Sequence, residues 1–399
     1  MSSGQPIASD TAGDADLNSF RGIAGAILLG VIGPEVFIVQ PGFVQGLVQK
    51  IGFSEQGAGY TASVEMFGIA ATTVALTFLA NRIDWRKVLY VSLLVMFATN
   101  AASAYVHDLN TFAIVRFFAG LASGTLITIS FTAIGLTRKV DRNFGLLIMW
   151  VLLYGAFGLL AMPAAFQAVG MSGVLWFFAL FPLLGIPAVR HLPRSGTAVT
   201  EIRADAVDLS GALKSSALLS IFTYFLAQGV VWAYLFLIGV NAGLTEQQVA
   251  NGLMISQFAG VGGALLAAWL AHRTRHALGL TIGIIGGAIV LYPLVGHFGA
   301  LVYAVTVSIY NFAWNFVQPV MLAAMARFDR KGLVVTYAVA AQMCGLAFGP
   351  GLAASVIGEG KLSPVIWLGL VLFILSLALI LPPVWAQARR SIQPVQVNG

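Results

Sequence analysis

Apolar stretches long enough to cross a hydrocarbon layer recur along nearly the whole chain, separated by short polar breaks. A layer of about 30 Å calls for about 20 residues of helix. Such stretches fall near 20–49, 57–80, 87–106, 110–136, 143–168, 173–190, 215–240, 247–271, 277–296, 299–326, 332–357 and 364–385. The longest polar gap, 191–214, holds Pro193, Gly196, Glu201, Arg203, Asp205 and Asp208 and divides these spans six and six. The pattern predicts an all-α membrane protein of twelve transmembrane helices in two six-helix halves, over 19–190 and 215–386. Residues 191–214 read as a cytoplasmic linker, 1–18 as a disordered polar tail and 387–399 as a C-terminal tail. The remaining connections are short, which leaves no room for a soluble catalytic domain.

The halves also echo one another. Residues 54–82 begin Ser54-Glu55-Gln56 and end Leu79-Ala80-Asn81-Arg82; residues 245–273 begin Thr245-Glu246-Gln247 and end Leu270-Ala271-His272-Arg273. The offset is 191, with Phe67 falling on Phe258. Gly155 and Gly345 stand 190 apart, each in a glycine-rich helix middle where neighbouring helices can approach closely. Parallel repeats of membrane helices have a natural solute site in the seam between them.

Composition supports the membrane reading: 59% of residues are hydrophobic and 9% charged, against about 25% charged in a typical soluble domain. Lys and Arg collect on one face if every second loop is cytoplasmic, with Arg21, Arg82, Arg86, Lys87, Arg138, Lys139, Arg142, Arg273, Arg275, Arg327, Arg330 and Arg389 on that side. Lys50 and Lys361 fall on the other. Both termini are therefore expected in the cytoplasm. The net charge of +6 is read as this topology signal and not as a nucleic-acid footprint. The single cysteine, Cys344, excludes a disulfide framework. His272 and His276 stand four apart, but among arginines, so no metal site is expected. Phosphate-loop and hydrolase motifs are absent, which points away from ATP-driven transport and from an enzyme. No cofactor is implied.

Three ionisable residues lie deep in spans: Glu35, Glu65 and Arg116. Charge at such depth normally faces a cavity or a partner. At a rise of 1.5 Å per residue, Arg116 lies roughly 10 Å and Glu65 roughly 12 Å below the outer face, close enough in depth to pair. A pair that only fixes packing and an arginine free to receive an anion are both compatible with that depth. Glu35 follows Pro34 and precedes Pro41 in a kinked first span, with no basic residue at its own depth. It is the candidate proton carrier. In the second half Asn311, Asn315 and Gln318 share a face of span ten with Tyr310 and Trp314, and Tyr224, Gln228 and Trp232 follow one another on span seven. These stripes either line a cavity and orient a solute or bond between helices.

The chain resembles the major facilitator superfamily over essentially all its spans. Leu79, Ala80, Arg82, Arg86 and Lys87 match that family's signature loop after span two, although Thr77, Asn81 and Asp84 replace its Gly, Asp and second Gly. The second copy keeps Leu270, Ala271, Arg273 and Arg275. The resemblance implies a gating latch at Arg82, Arg86 and Lys87, weakened by loss of the Asp charge. Arg116, Gly120 and Gly124 match the Arg-x-x-x-Gly-x-x-x-Gly pattern of span four. The Gly-x-x-x-Gly-Pro run used to recognise exporters is missing from span five and occurs instead as Gly345, Gly349 and Pro350 in span eleven. An acid in span one with an arginine in span four is similar to proton-coupled members.

The chain is therefore expected to be a proton-coupled secondary transporter of a small organic solute. It is expected to work as a monomer in the lipid bilayer of a bacterial inner (plasma) membrane. Export of an amphipathic compound is favoured over proton-coupled uptake of an organic or aromatic acid, and a non-transporting sensor or scaffold is the reading from another class.

Overall fold

The computed structural model describes residues 16–79, 82–196, 206–270, 276–358 and 361–392. Their backbone is helical apart from short connections and one isolated bridge between Gly358 and Lys361. We name the helices α1 (Phe20–Ile32, continued by turns to Ile51), α2 (Glu55–Leu79), α3 (Trp85–Ser103), α4 (Leu109–Gly135), α5 (140–169) and α6 (171–189). The second half holds α7 (Gly211–Trp232, continued by Leu235–Asn241), α8 (Glu246–Leu270), α9 (His276–Ile289), α10 (Ala300–Met325), α11 (Leu333–Val356) and α12 (Ser363–Ile392). α5 and α6 are arms of one fifty-residue helical stretch, broken at Gly170 with φ 65°. Glycine takes that left-handed conformation without a side-chain clash.

Among the described residues, nine stretches are long and apolar enough to cross a membrane. The expected twelve is reached only when α5 and α6 are taken separately and the broken α1 region and the 19-residue α3 are included. The α12 helix runs on to Ile392, through Pro382 and Pro383, beyond the expected span end.

The sequence echo has a structural counterpart to the residue. α2 and α8 are both 25 residues long and begin at Glu55 and Glu246, 191 apart. Each starts from a hydroxyl cap: Ser54 Oγ accepts from Gly57 N at 3.0 Å and Thr245 Oγ1 from Gln248 N at 3.2 Å. The second is a reciprocal capping box, since Gln248 Oε1 also accepts from Thr245 N at 3.0 Å.

Glycines set which helices touch. A Cβ at Gly120 would lie 2.0 Å from the Glu65 carbonyl oxygen, and one at Gly124 2.6 Å from that of Ile69. The Arg116-Gly120-Gly124 face thus lies flat on α2, within its own half. The two echoing glycines do different work. Gly155 sits in the seam, where a Cβ would come 2.5 Å from Ile38 and 3.2 Å from the Gln257 amide carbon, whereas Gly345 packs on the α7 backbone, 2.3 Å from Phe222 O.

Two helices break, for different reasons. Pro41 carries no N–H, so the Phe37 carbonyl four residues earlier loses its helical partner; the backbone leaves the helix at Pro34 (ψ 22°) and Val39 (ψ 16°). α7 breaks at Tyr234 (φ -106°, ψ -2°), with neither Pro nor Gly at the break.

The halves join by hydrogen bonds toward the end where the α1–α2 connection lies. Tyr234 Oη donates to Glu55 O (2.9 Å), Asn241 Nδ2 to Glu55 Oε1 (3.1 Å) and Gln56 Nε2 to Ile357 O (3.3 Å). Ser63 Oγ bonds to Ala347 O, and the Phe67 and Phe348 rings meet edge to face at 4.7 Å. That end is sealed.

Candidate solute cavity and buried charge network

A cavity of about 640 Å³ runs from Pro34, Phe37 and Trp232 toward Thr77, Phe78, Thr132 and Val335, at the opposite end from the seal. The second half supplies a polar and aromatic wall of Trp232, Gln257, Asn311, Trp314, Asn315 and Gln318. From the first half come apolar side chains, with the hydroxyls of Thr73, Thr77, Thr128 and Thr132. No Asp, Glu, Lys, Arg or His lines it among the described residues.

Trp232 and Trp314 meet edge to face at 5.8 Å. Asn315 Nδ2 donates to Asn311 Oδ1 (2.8 Å) and Asn311 Nδ2 to Ser256 Oγ (3.3 Å), so this wall is pre-ordered from α8 through α10. Tyr224, Gln228 and Tyr310 lie elsewhere. They are buried behind the wall, Tyr310 Oη donating to Gln228 O at 3.4 Å and Tyr224 packing on Phe373 at 5.4 Å. The candidate stripes therefore divide: Trp232, Asn311, Trp314, Asn315 and Gln318 face the cavity, and the other three buttress it.

Glu35, Glu65 and Arg116 come together inside the first half, all buried and none on the cavity wall. Both Glu65 oxygens accept from Arg116, Oε2 from Nε at 3.1 Å and Oε1 from Nη2. The guanidinium also sits over the Phe43 ring, 5.2 Å from its centre. Asn100 of α3 completes the set. Its Oδ1 accepts from Arg116 Nη1 at 2.5 Å, while its Nδ2 donates to Glu35 Oε1 at 2.8 Å and to Phe178 O at 2.9 Å. One amide thus bridges Glu35 to the arginine from which it had been read as separate. Because the oxygen of Asn100 is committed to Arg116, its nitrogen must face Glu35. Any proton on Glu35 then belongs on Oε2, which has no hydrogen-bond partner.

Asn100 and Gln257 were missed in the sequence. Asn100 is an isolated amide amid Ala and Ser with no stripe to mark it. Gln257 falls 191 residues after Met66, and both line the cavity.

The loop candidates sit within the first half. Asp84 Oδ1 caps α3 by accepting from Lys87 N (3.2 Å), Arg86 Nε donates to Leu192 O (2.7 Å), and Arg82 and Lys87 are exposed. Ala80, Asn81, Ala271, His272, Arg273 and Arg275 lie outside the described residues, as does the His276 side chain.

The Major Facilitator Superfamily profile matches residues 25–350, most of the chain. The protein belongs to that superfamily. Solved superfamily structures align over nearly their full length. The D-xylose-proton symporter matches at TM-score 0.71 and 18% identity, covering 90% of this chain and 97% of its own. A partially occluded inward-open form of the xylose transporter XylE from E. coli matches at 0.68 and 16%, covering 91% and 97%. A variant of the nucleoside transporter NupG matches at 0.67 and 14%, covering 93% and 100%. At such identities the likeness is one of fold. No curated protein sequence matches the chain significantly. The protein is thus a multi-pass membrane transporter of this superfamily, its spans arranged in two pseudo-symmetric halves.

Proposed function

We propose that this transporter exports an uncharged amphipathic solute against a proton flux by alternating access, with the solute in the seam cavity and the proton on Glu35. The carrying observation is a cavity walled by amides, hydroxyls and two tryptophans with no charged side chain among the described residues. Uptake of an organic acid would require a cation at the solute, and Arg116 is held by Glu65 and Asn100 away from the cavity wall. Glu35 suits the proton because one of its buried oxygens has no partner. A xylose-proton symporter and a nucleoside transporter share the fold, in keeping with an uncharged solute rich in hydrogen-bonding groups.

Asn311, Asn315, Gln318, Gln257, Trp232 and Trp314 would contact the solute, with Tyr224, Gln228 and Tyr310 holding them from behind. Arg82, Arg86 and Lys87 would latch the open end when it closes. The cavity reaches the ends that bear Arg138, Arg142 and Lys331, so by the Lys/Arg asymmetry it faces the cytoplasm, as do both termini and the 191–214 linker. We place the protein in a bacterial plasma membrane, working as a monomer.

The test uses purified protein in proteoliposomes. A library of neutral, cationic and anionic amphipathic solutes is screened for thermal stabilisation, and hits are followed for movement under imposed pH gradients of either sign. Neutral hits moving opposite to protons are expected. Anionic hits, or movement with the protons, would overturn the corresponding part of the reading. An impermeant thiol reagent on intact cells checks the topology, and should label a cysteine placed at Lys361 but not one at Arg138.

A further inference from the structure

The charge network and the solute cavity do not touch, yet coupled transport requires each to respond to the other. The broken stretch 33–41 is where they meet. It is held at three points by three different elements. Ser123 Oγ of α4 donates to Gly33 O at 2.6 Å, Asn100 of α3 holds Glu35 at 2.8 Å, and Trp232 of α7 donates its indole Nε1–H to Phe37 O at 3.2 Å. The last bond crosses the seam. Its acceptor is the carbonyl that Pro41 leaves without a helical donor, and its donor is a cavity-lining side chain packed on Trp314.

We propose that Trp232 is the coupling residue of the transporter, a positioning residue whose bond to the Phe37 carbonyl links the protonation of Glu35 to the arrangement of the two halves around the solute. The proposal rests on the proton-coupled reading above. Only Val36 separates Glu35 from Phe37, and the same short helical turn, Glu35–Ile38, carries both. Gain or loss of a proton on Glu35 changes what its carboxyl asks of Asn100 and hence the seating of that turn. The titratable groups facing Glu35 are Arg116 and Glu65, through Asn100, and the Tyr154 phenol of α5, which feels its charge. Parting α1 from α7 at the sealed end must break the Trp232 bond, so the seating of Phe37 O biases the equilibrium between the two access states. A solute against the Trp232 ring acts on the same bond from the other side.

Two substitutions remove the bond from opposite ends. Trp232→Phe keeps an aromatic ring and deletes the N–H. Pro41→Ala leaves Trp232 intact and supplies an N–H that can take the Phe37 carbonyl back into the helix. With one pH unit across proteoliposomes and the potential clamped, one-for-one coupling gives a solute ratio of roughly tenfold, which both variants should bring toward one. In Pro41→Ala, whose side chain is off the cavity wall, solute binding and solute–solute exchange should persist. Trp232→Phe, at a solute contact, should lose the gradient response whatever its affinity, and the double variant should be no worse coupled than either single one. If the wild type shows no response to the gradient, both the proton-coupled reading and this inference fall. If it responds and both single variants respond equally, the inference alone falls. Loss of binding in Trp232→Phe, with Pro41→Ala still coupled, would also overturn it by reducing Trp232 to a solute contact.

Discussion

The two halves carry equivalent crossbars built from opposite chemistry. In the first, α2 reaches α4 through Glu65 and Arg116; in the second, α8 reaches α10 through Ser256 and Asn311. Glu65 and Ser256 are the same position of the repeat, 191 residues apart. The charged crossbar is sealed inside its bundle, and the neutral one continues through Asn315 onto the cavity wall. Desolvation separates them. An ion pair in a membrane interior must be enclosed and fully bonded, whereas amides can keep one face bonded to the protein and offer the other to a solute. Equivalent helix pairs thus carry a buried ion pair in one half and, in the other, an amide wall on the cavity.

The largest break in the comparison comes from removing one charge. Glu65→Gln or Arg116→Gln leaves a buried ion uncompensated and should lower the stability of the detergent-solubilised protein by about 3–5 kcal/mol. Ser256→Ala should lower it by about 1 kcal/mol, as expected for one neutral hydrogen bond. Replacing both Glu65 and Arg116 by Leu should recover most of the loss. Equal effects in the two crossbars, followed by thermal unfolding, would show that charge does not distinguish them.

Next in size is Glu35→Gln. The amide retains an acceptor for Asn100 and cannot exchange a proton, so the roughly tenfold solute ratio, about 1.4 kcal/mol at one pH unit, should disappear while binding and exchange remain. A flux assay with and without the gradient reads this directly. Full gradient-driven transport would remove the proton from Glu35 and move that role to Glu65.

A smaller effect sharpens the cavity side. Gln257→Met makes α8 resemble α2, where Met66 occupies the repeat position. Losing one amide contact should weaken solute binding about fivefold, or ~1 kcal/mol, with little change in stability. Met66→Gln should change affinity less, since no amide wall surrounds it. Calorimetric titration with a neutral ligand would compare the two.

The sequence was most readable where the membrane enforces period and length. The starts of α2 and α8 fall where the echo begins, at Ser54 and Thr245, and the similar depth of Glu65 and Arg116 made their pairing one of two open readings, because a charge in lipid faces a partner or a cavity. Side-chain direction was far less legible. Tyr310, Asn311 and Trp314 belong to one stripe, yet Tyr310 turns toward α7 while the others line the cavity. A stripe about 100° wide contains both outcomes. Asn100 was invisible because its value lies in three partners from three other helices. The break at Tyr234 left no trace, because α7 carries no proline there.

The finest distinction between the halves lies at their repeated caps. Ser54 makes a single bond to Gly57 N, whereas Thr245 both accepts from Gln248 N and is held by the Gln248 side chain. Both helices begin at the sealed end, but they fasten it differently. Glu55 carries cross-half bonds from Tyr234 and Asn241, and its neighbour Gln56 reaches Ile357. Loosening the first turn of α2 should therefore weaken the seal as well as the helix. Ser54→Ala and Thr245→Ala should each lose about 0.5–1 kcal/mol of stability. Only Ser54→Ala should also raise the exposure of the sealed end, measured as faster labelling of a cysteine placed at Ser63. Equal labelling in the two variants would mean that α8 fastens the seal as firmly as α2, and that the caps are as symmetric in function as they are in sequence.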